Sequence, residues 1–433
     1  MDSPGLATLN RYLTPEAALT GTDGLTPIDR ILDAVRSHLG MEIAFASRIY
    51  DGVREFTHIR ADCPVPVAPG VAEPLEQTLC QAVLDGRLPA LMHEASEHEA
   101  AQPMPITLAL PVGSHLNVPL TLSNGQVYGT FCCVSRTPDL TLTERDMATL
   151  RAFAQLAAQQ IEGDLDSQRS AADVTERVAA VIATDTLTVL HQPIHDLRSG
   201  RPVGVECLAR FADAAQRGPD CWFAEAATVG LGQELELLAV RAALKTLPFV
   251  PADCYVAINV SPDTVISGAL RALVSSASRN RLVIEVTEHD AVSDYAALAA
   301  ELHWLRNYAR IAIDDVGSGY AGLRHIVDLR PDILKLDMSL TRHIDTDPAR
   351  RALAHALACF ARDIGATLVA EGIETEAERA VLARLEVPLA QGYLFSRPMP
   401  VVAAQQMLLG EREAAPLAAL ADLQTVERAK RQA

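Results

Sequence analysis

A single rhythm governs the second half of the chain. Strand-like apolar runs alternate with helical stretches at 187–194, 203–210, 255–261, 282–288, 310–316, 333–339, 367–373 and 389–395. Strands that alternate with helices pair in parallel, because each helix carries the chain back across the sheet, and eight such units close into a barrel. The runs at 187 and 203 lie too close for a helix between them. They are expected to pair antiparallel through Arg198-Ser199-Gly200. The expected fold class is α/β: a (β/α)8 TIM-like barrel over 184–410 with an antiparallel first strand, then a polar, Ala-rich tail over 411–433.

Seven of these runs end on or near a polar group that strand packing does not require. They are Glu206, Asn259, Glu285 with Glu288, Asp314 with Asp315, Lys335 with Asp337, Glu371 with Glu374, and Gln391. In such a barrel the C-terminal strand ends converge on one site. Alternation sends one of Asp314 and Asp315 into that site and the other just beyond it. Carboxylates crowded in one pocket repel each other and lose solvent, so their pKa values rise steeply without cations. Oxygen ligands such as Glu206, Asn259, Glu285 and Asp314 favour a hard divalent ion, Mg2+ or Mn2+, over zinc. No histidine falls in the ring. Lys335 is placed to orient a water or to neutralise charge on a phosphoryl oxygen, which points to phosphodiester hydrolysis. The plainer alternative is a set of acids solvated at the barrel rim. The loop 317–322 carries three glycines, which suit either a hinged loop or a tight strand-to-helix turn.

The first half reads differently. Ile28, Ile31, Leu32, Val35 and Leu39 predict a helix over 27–39, followed by strands at 42–50 and 56–62 and a second helix over 75–84. Segments 115–122 and 127–135 flank Asn124-Gly125, which predicts a two-residue hairpin turn with positive φ angles. A long helix begins near Thr143. Along it Met147, Leu150, Ala154, Ala157, Ile161 and Leu165 form either a coiled-coil seam or the face of a helix packed on its own domain. The expected division is a leader over 1–24, an α/β domain over 25–163 and a helical linker over 164–183.

A formal net charge of −18 without a Lys/Arg cluster argues against a nucleic-acid polymer as partner, and means that an anionic substrate needs screening cations. No run of about 18 apolar residues occurs, and the start lacks a basic stretch before an apolar one, so no membrane span and a cytoplasmic location are expected. The eight cysteines include no Cys-x-x-Cys pair, which predicts buried thiols rather than zinc or disulfides. Adjacent Cys132 and Cys133 read as buried strand residues, with a redox role the alternative. His93, His98 and His115 read as scattered, with a shared metal or haem the alternative.

Eight separated motifs then occur in order: HQPI (191–194), Glu206-Cys207-Leu208 with Ala209-Arg210, INVSP (258–262), IEVTE (284–288), DDVGSGY (314–320), LKLD (334–337), AEGIET (370–375) and QGYLFSRP (391–398). With them residues 184–408 resemble an EAL-type cyclic di-GMP phosphodiesterase. The resemblance implies an EAL-type barrel that converts cyclic di-GMP to linear pGpG with Mg2+ or Mn2+ in a two-metal site. It implies that Glu206, Asn259, Glu285 and Asp314 hold the first metal, and that Asp314 and Asp315 serve the second. By the same resemblance Lys335 and Glu371 position or activate the water. Glu288 anchors the glycine loop, and Glu374 and Gln391 lie around the water. Gln192 and Arg210 contact substrate, the arginine at phosphate. The chain departs from the family pattern at Cys207 for Ala, Val316 for Phe, Ser318 for Thr, Ala321 for Ser and His191 for an aromatic.

The first half, over roughly 25–163, resembles a GAF sensor domain. The resemblance is carried by the opening helix, LCQAVLDGRLP (79–89), NVPLTLSNGQVYGTFCCVS (117–135) and the helix after LTLTERD (140–146). It implies a small ligand or a redox signal as input, passed through the 143–170 helix to the barrel within a homodimer. The alternative to an enzyme is a catalytically inactive cyclic di-GMP receptor.

Overall fold

Strand alternation organises both halves of the molecule. The computed structural model describes residues 24–104, 112–212, 217–286, 294–317 and 323–410, and the chain divides between Ser170 and Ala171 into two units. The proposed leader, the C-terminal tail, Glu288, Ser318 and Ala321 lie outside the described residues.

Helix α1 (Pro27–Leu39) opens the first unit at the expected bounds. Thr26 and Asp29 form a reciprocal capping box, Pro27 occupies the first turn, and Gly40 ends the helix at φ 65°. Such a cap contributes about 1 kcal/mol. Its buried face, Ile28, Leu32 and Val35, packs on a six-stranded antiparallel sheet. The strands are β1 (Ile43–Tyr50), β2 (Val53–Ala61), β3 (Ala72–Pro74), β4 (Leu91–Met92), β5 (His115–Thr121) and β6 (Val127–Val134), in the order β3-β2-β1-β6-β5-β4.

Two local expectations need correction. The helix over 75–84 is broken at Thr78 into a 3-10 turn (Leu75–Gln77) and α2 (Leu79–Leu84). The Thr78 hydroxyl donates to the Leu75 carbonyl at 2.8 Å and accepts from the Gln81 amide at 3.1 Å, so a side chain competes with the helical ladder. The hairpin turn is not a two-residue turn. Leu122 and Gln126 are bridged by a hydrogen bond, and of the three residues between them only Gly125 has a positive φ, 84°.

Helix α3 (Glu144–Thr184) runs through 164–170 without a break. Met147, Leu150, Ala154, Ala157 and Ile161 are buried in the core shared with α1 and the sheet. That stretch is therefore the face of a helix packed on its own domain rather than a free seam. Further along, Val174, Val178 and Val181 pack with Trp222, Leu235 and Leu238 of the second unit. No helix among the described residues is long and apolar enough to cross a membrane.

The second unit is a closed barrel of eight strands: β7 (Thr188–Asp196), β8 (Pro202–Arg210), β9 (Tyr255–Val260), β10 (Leu282–Val286), β11 (Arg310–Val316), β12 (Ile333–Leu336), β13 (Thr367–Ala370) and β14 (Leu389–Ala390). β7 is antiparallel to both neighbours, β8 and β14, and the other pairs are parallel. The turn between β7 and β8 is closed by the Ser199 amide on Asp196 Oδ1 at 2.6 Å and by Gly200 at φ 71°.

One layer of the barrel interior is apolar: Ile194, Ala257, Val283, Ala312, Ile333, Val369 and Leu389 cluster together with Tyr255. Gly204 completes it, because a Cβ there would lie 2.7 Å from the Tyr255 ring. Side chains two residues apart on a strand share a face. The next inward positions are thus Glu206, Asn259, Glu285, Asp314, Lys335, Glu371 and Gln391. On antiparallel β7 the corresponding residue precedes, Gln192. A packed apolar floor therefore carries a polar ring at one end of the barrel.

Candidate metal centre

Lys335 stands at the centre of the ring with 1% of its surface exposed. Its Nζ lies 2.7 Å from Glu285, 2.8 Å from Glu371, 3.0 Å from Asp314 and 3.6 Å from Glu206. These carboxylates come from four different strands or strand ends. Gln391 Nε2 donates to Glu206 at 2.6 Å and to Glu371 at 3.2 Å, and Asn259 Nδ2 donates to Glu206 at 2.7 Å.

One ammonium cannot neutralise four carboxylates, three of them buried and Glu371 partly so. Burial opposes the charge on Lys335, yet Asp314, Glu206, Glu285 and Glu371 hold its pKa well above the usual lysine range. Burial, with the charges of Glu206 and Asp314, pushes Glu285 well up despite Lys335. Burial, with Asp314 and Glu206, does the same for Glu371. Burial would raise Glu206 too, but Lys335 and the hydrogen bonds from Gln391 and Asn259 hold it below the usual carboxylate value. Glu206, Glu285 and Glu371 therefore do not titrate independently, and divalent cations would relieve the repulsion in the ring.

Asp314 is buried and accepts the Asp315 amide at 2.9 Å. Alternation alone would turn Asp315 away. Its φ of 57° and a register shift of β11 against β12 between Ile313 and Val316 break that alternation. Two groups of acids result, Glu206–Glu285–Asp314 and Asp314–Asp315–Glu371, each with ligand oxygens within 4.8 Å of one another. The oxygen-only donor sets fit hard divalent ions. Among the described residues no histidine or cysteine joins either group. His93 Nε2 instead meets the Leu142 carbonyl at 2.9 Å, His115 is buried, and neither joins a group of three potential ligands among the described residues.

The remaining residues singled out from sequence are less central. Gln192 is buried, donates to the Ser396 carbonyl at 3.2 Å and lines a pocket of about 230 Å³ with Glu371, Glu374 and Gln391. Glu374 sits at that pocket in an ion pair with Arg342 at 2.8 Å, not in the carboxylate ring. Arg210 caps the end of β8 and donates to the Ala209 carbonyl at 2.8 Å. Cys207 and Val316 are buried in the outer core, so the substitutions there leave the ring untouched.

Two residues escaped sequence reasoning. Arg342 lines the pocket, and no local signal marks it. Glu378 is buried and accepts the amides of His343, Glu374 and Thr375 at 2.9–3.0 Å, pinning the segment that carries Glu371. A signal for it existed: Thr375 and Glu378 have capping-box spacing, and the box is formed.

Family comparisons agree with this geometry. The EAL domain model matches residues 175–398, about half the chain. The chain belongs to the EAL domain family. Residues 23–161 match the GAF domain, so the first unit carries a GAF domain and the second an EAL barrel. The chain is 28% identical to an uncharacterized protein of Mycobacterium tuberculosis over 341 residues, covering 72% of this chain and 54% of that protein. It is 31% identical over 231 residues to the probable cyclic di-GMP phosphodiesterase PdeD of Escherichia coli K12, covering 51% of this chain and 43% of the relative. The chain thus spans about half the length of these relatives. The solved structure of the EAL enzyme Bd1971 in its cAMP- and cyclic-di-GMP-bound form covers 85% of this chain and 93% of its own, with TM-score 0.52 and 18% identity, a likeness of fold.

Proposed function

We propose that the EAL barrel hydrolyses cyclic di-GMP to linear pGpG with two divalent cations, Mg2+ or Mn2+. The observation that carries this reading is the acid ring about Lys335, whose charge one lysine leaves unbalanced. The name of the E. coli relative supports the substrate. Glu206, Asn259, Glu285 and Asp314 would hold one cation, and Asp314 with Asp315 the other. Bound cations would supply neutralisation of the acids and polarisation of water and phosphoryl oxygens.

The chain's own groups do the rest. Glu371 takes up the proton of the attacking water. Lys335 holds Glu371 at 2.8 Å and donates toward charge developing on the phosphoryl oxygen. Gln391 fixes Glu206 and Glu371 relative to each other. Gln192 and Arg210 bind substrate, Glu374 orders water at the pocket, and Glu288 anchors the 317–322 loop. The GAF domain regulates turnover through α3, in a cytoplasmic homodimer.

The test is incubation with cyclic di-GMP and Mg2+ or Mn2+, followed by chromatography of products. We expect pGpG, and a loss of at least about 10³-fold in turnover for Glu206→Ala, in line with removal of a group that organises the reacting charges. Tight binding without pGpG in the wild type would establish an inactive receptor instead.

A further inference from the structure

The GAF domain holds a second buried cluster, which the barrel chemistry does not use. Cys80 on α2 and Cys132 on β6 are both fully buried, with their Sγ atoms 3.6 Å apart. Arg54 Nη1 donates to Cys80 Sγ at 2.9 Å, and the same guanidinium pairs with buried Glu73. It also lies over the Phe56 ring, 4.2 Å from its centre. Arg54, Cys80 and His115 line a small pocket of about 40 Å³, room for a molecule the size of hydrogen peroxide, whose other walls are apolar, among them Phe45, Phe56 and Val112.

The neighbouring cysteine is excluded by geometry. Cys133 is adjacent to Cys132 in sequence, but successive strand residues point to opposite faces. Cys132 belongs to the core beneath α2, and Cys133 to the core beneath α1 and α3. Cys132 therefore faces Cys80, 52 residues away, instead of its sequence neighbour.

We propose that Cys80 and Cys132 form a reversible dithiol–disulfide couple oxidised by a hydroperoxide that enters this pocket. The proposal gives the sensor input of the preceding reading a chemical class. It depends on that reading only for any effect on hydrolysis.

The two sulfurs are unequal in the way such a couple needs. With Cys80 ionised beside Arg54, the Cys132 S–H is the donor between them. That hydrogen bond, with the charge of Arg54, favours the Cys80 thiolate against the cost of burial, while burial and the adjacent Cys80 push Cys132 up. Cys80 is the nucleophile and Cys132 the resolving thiol. The Cys80 thiolate attacks one peroxide oxygen, the O–O bond breaks, and Cys80 becomes a sulfenic acid. The departing oxygen leaves as an alcohol or water after taking a proton from solvent. The Cys132 sulfur then attacks Cys80 sulfur, the S–O bond breaks, and the hydroxide leaves as water with the Cys132 proton. Two thiols and one hydroperoxide thus give one disulfide, one water and one alcohol or second water. A small-molecule dithiol reverses the bond by exchange. The sulfurs must close by about 1.5 Å, within reach of a shift of the short α2 helix.

The test uses the full chain treated with hydrogen peroxide, denatured, alkylated and mapped by peptide mass. The expected result is a crosslink joining the peptides of Cys80 and Cys132, lighter by two hydrogens and undone by dithiothreitol. Cys132→Ser should abolish the crosslink and leave a Cys80 sulfenic acid that dimedone traps, and Cys132→Ala should do the same should the serine disturb the core. Arg54→Lys keeps a cation and should crosslink, whereas Arg54→Gln should slow crosslinking by about tenfold or more. The proposal is overturned if both thiols stay alkylatable in protein whose exposed Cys221 is already oxidised. A crosslink through Cys133, or a Cys80 sulfenic acid that persists in the wild type, also overturns it. These readouts are covalent, so they stand whether or not the barrel produces pGpG.

Discussion

The two domains each bury a cation, and they balance it differently. In the EAL barrel, Lys335 meets four carboxylates, which leaves a large negative excess. In the GAF domain, Arg54 meets one carboxylate, Glu73, and one thiol, Cys80. An unbalanced cluster is tolerable where further cations can enter, and so it marks a site for them. A balanced pair needs no ion and leaves a sulfur poised beside a guanidinium. Burial is similar in the two places, and stoichiometry sets the chemistry.

Removing each cation breaks this comparison most directly. Lys335→Met should lower turnover by about 10²–10⁴-fold. It should also destabilise the metal-free barrel by about 3–5 kcal/mol, because the acids lose the Lys335 ammonium. Added Mg2+ should restore much of that stability. Both tryptophans, Trp222 and Trp304, lie in the second unit, so tryptophan fluorescence during denaturation reads the barrel alone. Equal destabilisation with and without Mg2+ would show that the acids do not recruit cations.

Arg54→Met should cost the GAF domain about 3–5 kcal/mol through loss of its buried pair with Glu73, with no rescue by Mg2+. Hydrogen exchange over 43–134 measures it. Rescue by the metal would erase the distinction between the two clusters.

Acid should reveal where the domains behave alike. Burial lowers His115 in the GAF domain to about 4, and it lowers His191 in the barrel to about 4 as well. Unfolded histidine titrates near 6.5, so between those values the unfolded chain binds a proton that the folded one does not. Stability therefore rises with pH across this window and is lost as pH falls. Each domain should lose about 2 kcal/mol between pH 7 and pH 5 from its histidine. His115→Asn should remove that slope from the GAF domain only, read by hydrogen exchange at the two pH values. A slope unchanged by the substitution would assign it to other groups.

The capping boxes give the smallest contrast. Thr26→Ala and Thr375→Ala should each cost about 1 kcal/mol. Only Thr375→Ala should also lower turnover, by a few-fold, because its loop carries Glu371. Equal turnover in the two variants would separate that loop's order from catalysis.

Much of this was legible in one dimension. The α1 bounds followed from apolar spacing, and the eight barrel runs followed from their alternation with helices. Misreadings arose where side chains compete with the backbone. Thr78 broke a helix that periodicity continued, and the 123–125 turn used one positive φ instead of two. The seam along α3 was ambiguous because a coiled coil and a domain-facing helix share one spacing, and only the sheet beneath it decided. Arg342 carried no local signal, since its partner Glu374 is 32 residues away.

The sequence by itself determined the alternation of strands and helices, and the inward position of each ring residue two places beyond an apolar one. Those follow from strand periodicity, which is local. Closure of the barrel decided that four acids share one lysine, and the path of β11 decided that Asp315 turns back to join them. In the GAF domain, packing of α2 on the sheet set Cys132 against Cys80 and not against Cys133. Each of these depends on register between segments far apart in the chain, and distance in space, not order in sequence, sets which charges and sulfurs meet.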